Sequence, residues 1–315
     1  MTPDRKSAGK KKRLYREHLN PDFGFWYTIN KTLHKGKSPW QSIELVDTSE
    51  FGPVLLLDNV TQVASRGEYQ YHEPMVHPAL CAHPAPSRVL VIGGGDGGIL
   101  REVLRYPAVR EVHFAELDEA VVRFCARHLP DINAGAFGDP RVTTVFGDGR
   151  DYVEKHPGAF DVVIMDMTDP FGPSRMLYTR EFFTLVKRSF RNRAGMFVMH
   201  SESPVVRPHA FACVHKTLGS RFAVTRTLYT YIQMYAALWS IAVSSDTVDI
   251  ARTSAAAIDR RLAGAGITGL QLYTGATHKA MLTPYPWIEK LLASGGRVIT
   301  DKNADFEDNL HTQCG

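Results

Sequence analysis

The sequence predicts an α/β protein: a doubly wound, mostly parallel sheet with helices on both faces, preceded by a small N-terminal antiparallel β domain. Three observations carry this prediction. Residues 25–71 read as short strands with no helical period between them, apolar strands alternate with helices from Arg88 onward, and the first of those strands runs straight into a glycine-rich turn. Alternating strands and helices need crossover connections, which within one sheet means parallel strands covered on both faces.

In the N-terminal part, WQSIELVDT alternates apolar and polar positions, and PVLLLDNV and TQVASR come after Gly52-Pro53 and Asp58-Asn59, the punctuation expected of a meander. A helix then opens at EYQYHEPMVHPALCAH, its start left soft by Pro74 and Pro78, which suit a first turn but not a helix interior. Beyond it, RVLVIGG reads as a buried strand, GGILREVLRY as a helix, EVHFAELD as a strand, EAVVRFCARHL as a helix, and RVTTVF and FDVVIMD as strands. RNRAGMFVMH, RFAVTRTLYTYI and ALWSIAVSS continue the sheet, Gly264 and Gly266 punctuate a C-terminal segment, PWIEKLLA is a last helix, and LASGGRVITDKNADFEDNL is expected to add an edge strand and a tail. The division is therefore 1–20, a basic disordered tail; 21–72, the β domain; 73–290, the catalytic-type α/β domain; and 291–315, a C-terminal extension.

Composition narrows the class. With 44% hydrophobic and 22% charged residues over 315 positions, the chain is globular rather than disordered or fibrous, and no run approaches the length of apolar sequence a membrane span needs. Cys81, Cys125, Cys213 and Cys314 stand singly, so neither a disulfide framework nor a zinc site is indicated, and a reducing cytoplasm is the expected setting. MTPDRKSAGKKKR lacks the apolar stretch of a secretion signal. Seven of the 37 Lys and Arg but one of the 33 Asp and Glu fall in residues 1–16, leaving 30 basic against 32 acidic residues elsewhere. The basic pI belongs to the tail, and nucleic acid is not an expected partner.

VLVIGGGDGG takes a strand into a glycine turn and a helix, where Gly93 and Gly95 allow close approach to a nucleoside. Glu116 ends the next strand, about 20 residues on, where a carboxylate accepts both ribose hydroxyls. Asp96 in the middle of the loop would repel a pyrophosphate, which disfavours a dinucleotide. This Rossmann-like, class I methyltransferase-like sheet also binds adenosyl sulfonium compounds. There Asp96 would repel the carboxylate of S-adenosylmethionine but attract the bare ammonium of its decarboxylated form. Asp148, in GDG after RVTTVF, is placed for the adenine amino group or for a plain turn. FDVVIMDMTDPFGPS sets Asp166 and Asp169 just beyond a strand end, where such sheets assemble their sites, and PFGPSRMLYTREFF reads as a lid.

GGGDGGILREVLRYP, AELD, GDGRDY, DVVIMDMTDPFGP and LYTREFF, with WQSIELVDT, LLLDNVTQ, EYQYHE and LYTGATHKA, resemble the signature blocks of the polyamine aminopropyltransferases, the spermidine synthase family. The resemblance implies transfer of the aminopropyl group of decarboxylated S-adenosylmethionine, a co-substrate, to an amine, with putrescine first in frequency, no metal, no separate cofactor, and assembly as a homodimer or homotetramer. It assigns Gln41, Asp96, Glu116 and Asp148 to the donor, Asp166 to catalysis, and Asp169, Tyr71, Tyr235, Gln62 and His72 to the acceptor.

The chain departs from the family in two places. Ile232-Gln233-Met234-Tyr235-Ala236-Ala237-Leu238-Trp239 stands where many members read I-P-T-Y-P-S-G, and HSESP replaces a glutamine-led stretch. The first change, losing a rigid turn and adding Met234 and Trp239, is expected to relax or alter acceptor choice, and the second brings Glu202 near a strand end, where, facing the channel, it would anchor a far ammonium and favour a longer amine. Two other readings fit the same scaffold: an amine N-methyltransferase using intact S-adenosylmethionine, and a non-catalytic polyamine- or nucleic-acid-binding module.

Overall fold

A computed structural model describes residues 12–170 and 172–306. Five antiparallel strands form the N-terminal sheet in chain order: β1 (Arg13–Asn20), β2 (Phe23–Lys37), β3 (Ser42–Thr48), β4 (Gly52–Leu57) and β5 (Val60–Ala64). The β4–β5 hairpin turns on Asp58 and Asn59, both left-handed at φ 48° and 59°, as a two-residue turn matched to strand twist requires. The expected disordered tail is corrected over residues 13–20, which pair with β2. Tyr15, Glu17 and Leu19 are buried there while Arg13 and Arg16 face out. The period of two is present, but basic outward positions disguise it. Residues 1–11 of the tail lie outside the described residues.

Helix α1 (Tyr69–Ala82) comes directly after β5 and holds Pro74 and Pro78 in its buried interior. The change from sheet to α/β domain thus falls between Ala64 and Tyr69, not at residue 72. The second sheet has seven strands: β6 (Arg88–Gly93), β7 (Glu111–Glu116), β8 (Val142–Phe146), β9 (Val162–Asp166), β10 (Met196–His200), β11 (Val224–Ile232) and β12 (Ala237–Ser245), in the order β11-β12-β10-β9-β6-β7-β8. The five strands β6 to β10 are parallel, and β12 and β11 are added antiparallel at one side.

Alternation along the strands fills two cores. Val89, Val91, Ile164 and Val198 pack on one face against α1, α2 (Gly98–Leu104) and later helices, while Leu90, Ile92, Met165 and Met199 pack on the other. Helices α3 (Glu119–His128), α4 (Pro130–Asn133) and α5 (Gly149–Glu154) lie between the early strands, then α6 (Arg180–Ser189) and α7 (Pro208–Gly219), with α8 (Ala255–Gly264), α9 (Gly275–Met281) and α10 (Pro286–Ser294) closing the chain. Of these, α3 and α10 answer helices expected from sequence, while α4 to α9 have no helical counterpart there.

The C-terminal extension is corrected as well. It joins no sheet edge among the described residues. Ile299, Ala304 and Phe306 are buried in the second core, and Asp301 accepts hydrogen bonds from Arg150 (3.0 Å) and Thr179 (2.6 Å). Of the expected lid, residue 171 lies outside the described residues, while Ser174 Oγ donates to the Asp169 carbonyl at 2.7 Å and Tyr178 Oη to that of Thr168 at 3.2 Å.

Candidate active site

The carboxyl ends of β6, β7, β9 and β10 open on a cavity of about 430 Å³ whose opposite wall is the N-terminal sheet. Gly93 and Asp166 are register partners across β6 and β9. Gly93 has φ 75°, and a Cβ there would lie 2.2 Å from the Asp166 carbonyl oxygen. Gly94 leaves the same narrow margin, its added Cβ 2.9 Å from Asp166 Oδ2. Only glycine brings the loop this close to the acid.

On the donor side, Glu116 Oε1 accepts the Asp118 backbone N–H at 2.9 Å, and Glu116 Oε2 stands 3.3 Å from where a Gly95 Cβ would be. Burial pushes the Glu116 carboxyl up to about 7, the Asp118 charge adding to it against backbone hydrogen bonds. Gln41 reaches the site through Asp118, the last residue of the AELD block, to which the sequence assigns no role of its own: Gln41 Nε2 donates to Asp118 Oδ2 at 2.9 Å, Ser38 Oγ donates to the same oxygen at 2.6 Å, and Asp118 Oδ1 caps α3. Asp148 does not line the cavity. It is exposed, and its carboxylate caps α5 by accepting from the Arg150 and Asp151 N–H groups.

His72, expected on the acceptor, sits behind the donor loop. Its Nδ1 meets Glu68, its Nε2 lies 3.6 Å from Asp96 Oδ1, and a Cβ on Gly98 would enter its ring. Arg101 forks onto Glu68 at 2.9 and 3.1 Å. Burial opposes a charge on His72, yet Asp96 and Glu68 outweigh it and push the imidazole up to about 10. Burial would likewise raise Asp96, but the His72 cation and the Gly98 N–H, donating at 2.6 Å, hold it low. A carboxylate kept ionised in a buried loop suits a cationic ligand.

On the acceptor side, Tyr71 Oη donates to Asp166 Oδ1 at 2.7 Å. Burial and then Asp96 push Asp166 up to about 6, against the pull of His72 and Tyr71. Tyr235 Oη donates to the Gln62 carbonyl at 2.6 Å, while the Gln62 amide donates to Val60 O at 3.2 Å. Both residues line the cavity, and Gln62 holds Tyr235 through its backbone. Asp169 lines it too, with Oδ2 on Arg207 Nη1 at 2.7 Å. Glu202 does not, and its expected place in the channel is corrected: it is fully buried, left-handed at φ 71°, with Oε2 3.1 Å from the same Arg207 nitrogen. Trp239 and His200, the latter given no binding role by the sequence, complete the wall. Burial keeps His200 below its ordinary value.

Two sets of ligand atoms lie within 4.8 Å of one another among the described residues, His72-Asp96-Asp166 and Asp169-His200-Glu202. Each set already faces an internal cation, protonated His72 in the first and Arg207 in the second, which answers one of its two carboxylates. What the arrangement offers is a row of acids in an aromatic-walled cavity: Glu116 for a diol, Asp96 for a cation, Asp166 for a proton.

Residues 68–253 match the spermine/spermidine synthase domain, and residues 14–65 match the family described as the spermidine synthase tetramerisation domain. A polyamine aminopropyltransferase of Nitrosomonas europaea is 39% identical over 294 residues, covering 93% of this chain and 90% of that protein. Polyamine aminopropyltransferase 2 of Hyperthermus butylicus is 37% identical over 277 residues, 87% and 90% of the two chains. Among solved structures, a spermidine synthase in complex with the transition-state analogue AdoDATO superposes with a TM-score of 0.84 at 29% identity, over 92% of this chain and 98% of that one. The Thermotoga maritima spermidine synthase gives 0.83 at 28%, over 92% and 97%.

Proposed function

The chain belongs to the spermine/spermidine synthase family and is a polyamine aminopropyltransferase, and from that premise we propose that its donor is decarboxylated S-adenosylmethionine and its acceptor putrescine, the products being spermidine and 5′-methylthioadenosine. The observation that carries the donor is Asp96, held ionised in the glycine loop beside Asp166. An amino acid carboxylate would be repelled there, whereas an ammonium is attracted, and this disfavours methyl transfer from intact S-adenosylmethionine.

In the reaction, Glu116 holds the ribose and Asp96 the aminopropyl ammonium. The acceptor enters protonated, and burial beside a sulfonium lowers its affinity for that proton. Asp166, its carboxylate oriented by Tyr71, takes the proton, and the freed nitrogen pair forms a C–N bond to the carbon next to sulfur. The C–S pair leaves with sulfur as a neutral thioether, so no further acid is needed. Holding amine and carbon in line supplies much of the rate, and the carboxylates balance positive charge throughout. The residues present give this route no step that calls for a metal or a separate cofactor.

Mixing the protein with decarboxylated donor and putrescine should release 5′-methylthioadenosine and spermidine, read by mass spectrometry. Production of S-adenosylhomocysteine from the intact donor instead, with no turnover of the decarboxylated one, would refute the assignment. Absence of turnover with every amine would favour the binding-module reading.

We also propose a homodimer or homotetramer in the cytoplasm. Trp26, Phe23 and Leu14 are exposed on β1 and β2 at the edge of the N-terminal sheet, and Cys81, Cys125 and Cys213 are free thiols. No helix among the described residues is long and apolar enough to cross a membrane. Sedimentation as a 35 kDa species at working concentration would count against assembly.

A further inference from the structure

The turn between β2 and β3, residues 38–41, is closed by a single buried side chain, Ser38. Its N–H donates to the Gln41 carbonyl at 2.9 Å, and its Oγ accepts the Trp40 and Gln41 N–H groups, both at 3.0 Å. The hydroxyl hydrogen goes to Asp118 Oδ2 at 2.6 Å rather than to the Gln41 carbonyl, 3.3 Å away, since a bond to a carboxylate is the stronger. Ser38 therefore shapes the turn and ties it to the α/β domain.

Asp118 is 3% exposed and gives each of its polar groups a separate task. Its N–H donates to Glu116 Oε1 at 2.9 Å, Oδ1 accepts the Ala120 N–H at 3.1 Å at the start of α3, and Oδ2 accepts from Ser38 Oγ and from Gln41 Nε2 at 2.9 Å. A carboxylate only accepts, so the Gln41 amide must turn its nitrogen to Asp118, and its oxygen is the end left for another partner. Gln41 lines the cavity, and its Oε1 has no hydrogen-bond partner among the described residues. One acid thus sets two acceptors on the donor side, Glu116 through its backbone and Gln41 through its side chain.

We propose that Ser38 and Asp118 are positioning residues for donor binding, which together hold the Gln41 amide with its carbonyl oxygen free to accept a hydrogen from the nucleoside. The inference rests on the aminopropyl-transfer reading above and deepens it, because donor recognition then spans both domains. Ser38 does not line the cavity. It acts through Gln41 and Asp118.

The test is a double-mutant cycle on the donor KM, with Ser38→Ala and Gln41→Met measured singly and together. The substrates are decarboxylated S-adenosylmethionine and putrescine, or whichever amine turns over fastest, and circular dichroism checks folding. Ser38→Ala should raise the donor KM roughly five- to tenfold, within the range of one lost hydrogen bond, with a smaller fall in kcat. In the Gln41→Met background the same change should alter KM by less than about twofold, since residues acting through one contact are not additive. Equal rises in both backgrounds would make Ser38 a purely structural residue and overturn the inference, as would an unchanged KM in folded Ser38→Ala. If Ser38→Ala does not fold, Asp118→Asn takes its place, assayed well above the Glu116 value of about 7. There Oδ1 keeps the cap on α3 while the new amide nitrogen, a donor, faces Gln41 and reverses its amide. The donor KM should rise in the parent background and not with Gln41→Met; equal rises in both would again overturn the inference. A parent that turns over no amine with the decarboxylated donor overturns the aminopropyl reading and this inference together.

Discussion

Tyr71 and Asp166 are joined by a 2.7 Å hydrogen bond that runs from α1 to the end of β9, fixing an acid whose ordinary range is shifted toward neutrality. Burial lifts Asp166 to about 6, and the phenol limits that rise by favouring the ionised form. Tyr71→Phe should move the acidic limb of the kcat profile upward by roughly half to one unit. It should also lower kcat near neutrality several-fold. A limb that stays in place would separate Tyr71 from the titration of Asp166.

Asp166→Asn keeps the volume and the Tyr71 neighbour but cannot take a proton. Turnover should fall by roughly 10² to 10⁴, the usual worth of a positioned acid or base, while calorimetric affinity for the donor hardly changes. Activity within threefold of the parent would remove this residue from the mechanism.

Glu116→Gln should raise the donor KM, because an amide cannot accept from both ribose hydroxyls; an unchanged KM would refute the ribose assignment. The same variant has a stability signature. Burial lifts Glu116 from 4.5 to about 7, so the folded state holds a proton the unfolded state has lost, and stability falls as pH rises across that window. The variant does not titrate. Its melting temperature relative to the parent should therefore climb between pH 4 and pH 8, and a pH-independent difference would contradict the burial argument.

His72 gives the opposite sign. Its folded value near 10 exceeds the ordinary 6.5, so its pairing with Asp96 and Glu68 stabilises fully below pH 6.5 and fades as pH rises through 10. His72→Gln should thus be most destabilised relative to the parent near pH 6, by at least a few degrees in Tm, with the gap closing toward pH 10. A gap that widens with pH would show that His72 is neutral in the fold.

The doubly wound sheet and the acids at its strand ends are legible in the sequence because alternation and strand-end position are local signals. Glu116 and Asp166 need nothing more than VHFAELD and VVIMD. Several of the failures trace to partners that the sequence alone does not bring together. Glu202 faces Arg207 instead of the cavity because that guanidinium, five residues on, also pairs with Asp169 and with β1. β1 is hidden because outward Arg13 and Arg16 resemble a solvated arm, and only the fold brings Glu44 beside Arg13 at 3.2 Å. Asp118 looks like an ordinary helix cap, and it is one, but its second oxygen holds Gln41 from another sheet. Asp148 fits a cap or a ligand equally well in sequence, and the structure shows the cap.

The seam between the two sheets bears on how the protein comes into being. Asn20 donates to the Val206 carbonyl, Tyr235 to that of Gln62, and Arg207 to that of Leu19. The amine chamber is therefore closed by residues from opposite ends of the order of synthesis. A nascent chain can pair β1 to β5 early, yet that sheet has no finished inner face until Trp239 has emerged from the ribosome. Contacts of such long sequence separation form slowly, so competence to hold an amine arrives late and all at once, with the last strands of the second sheet.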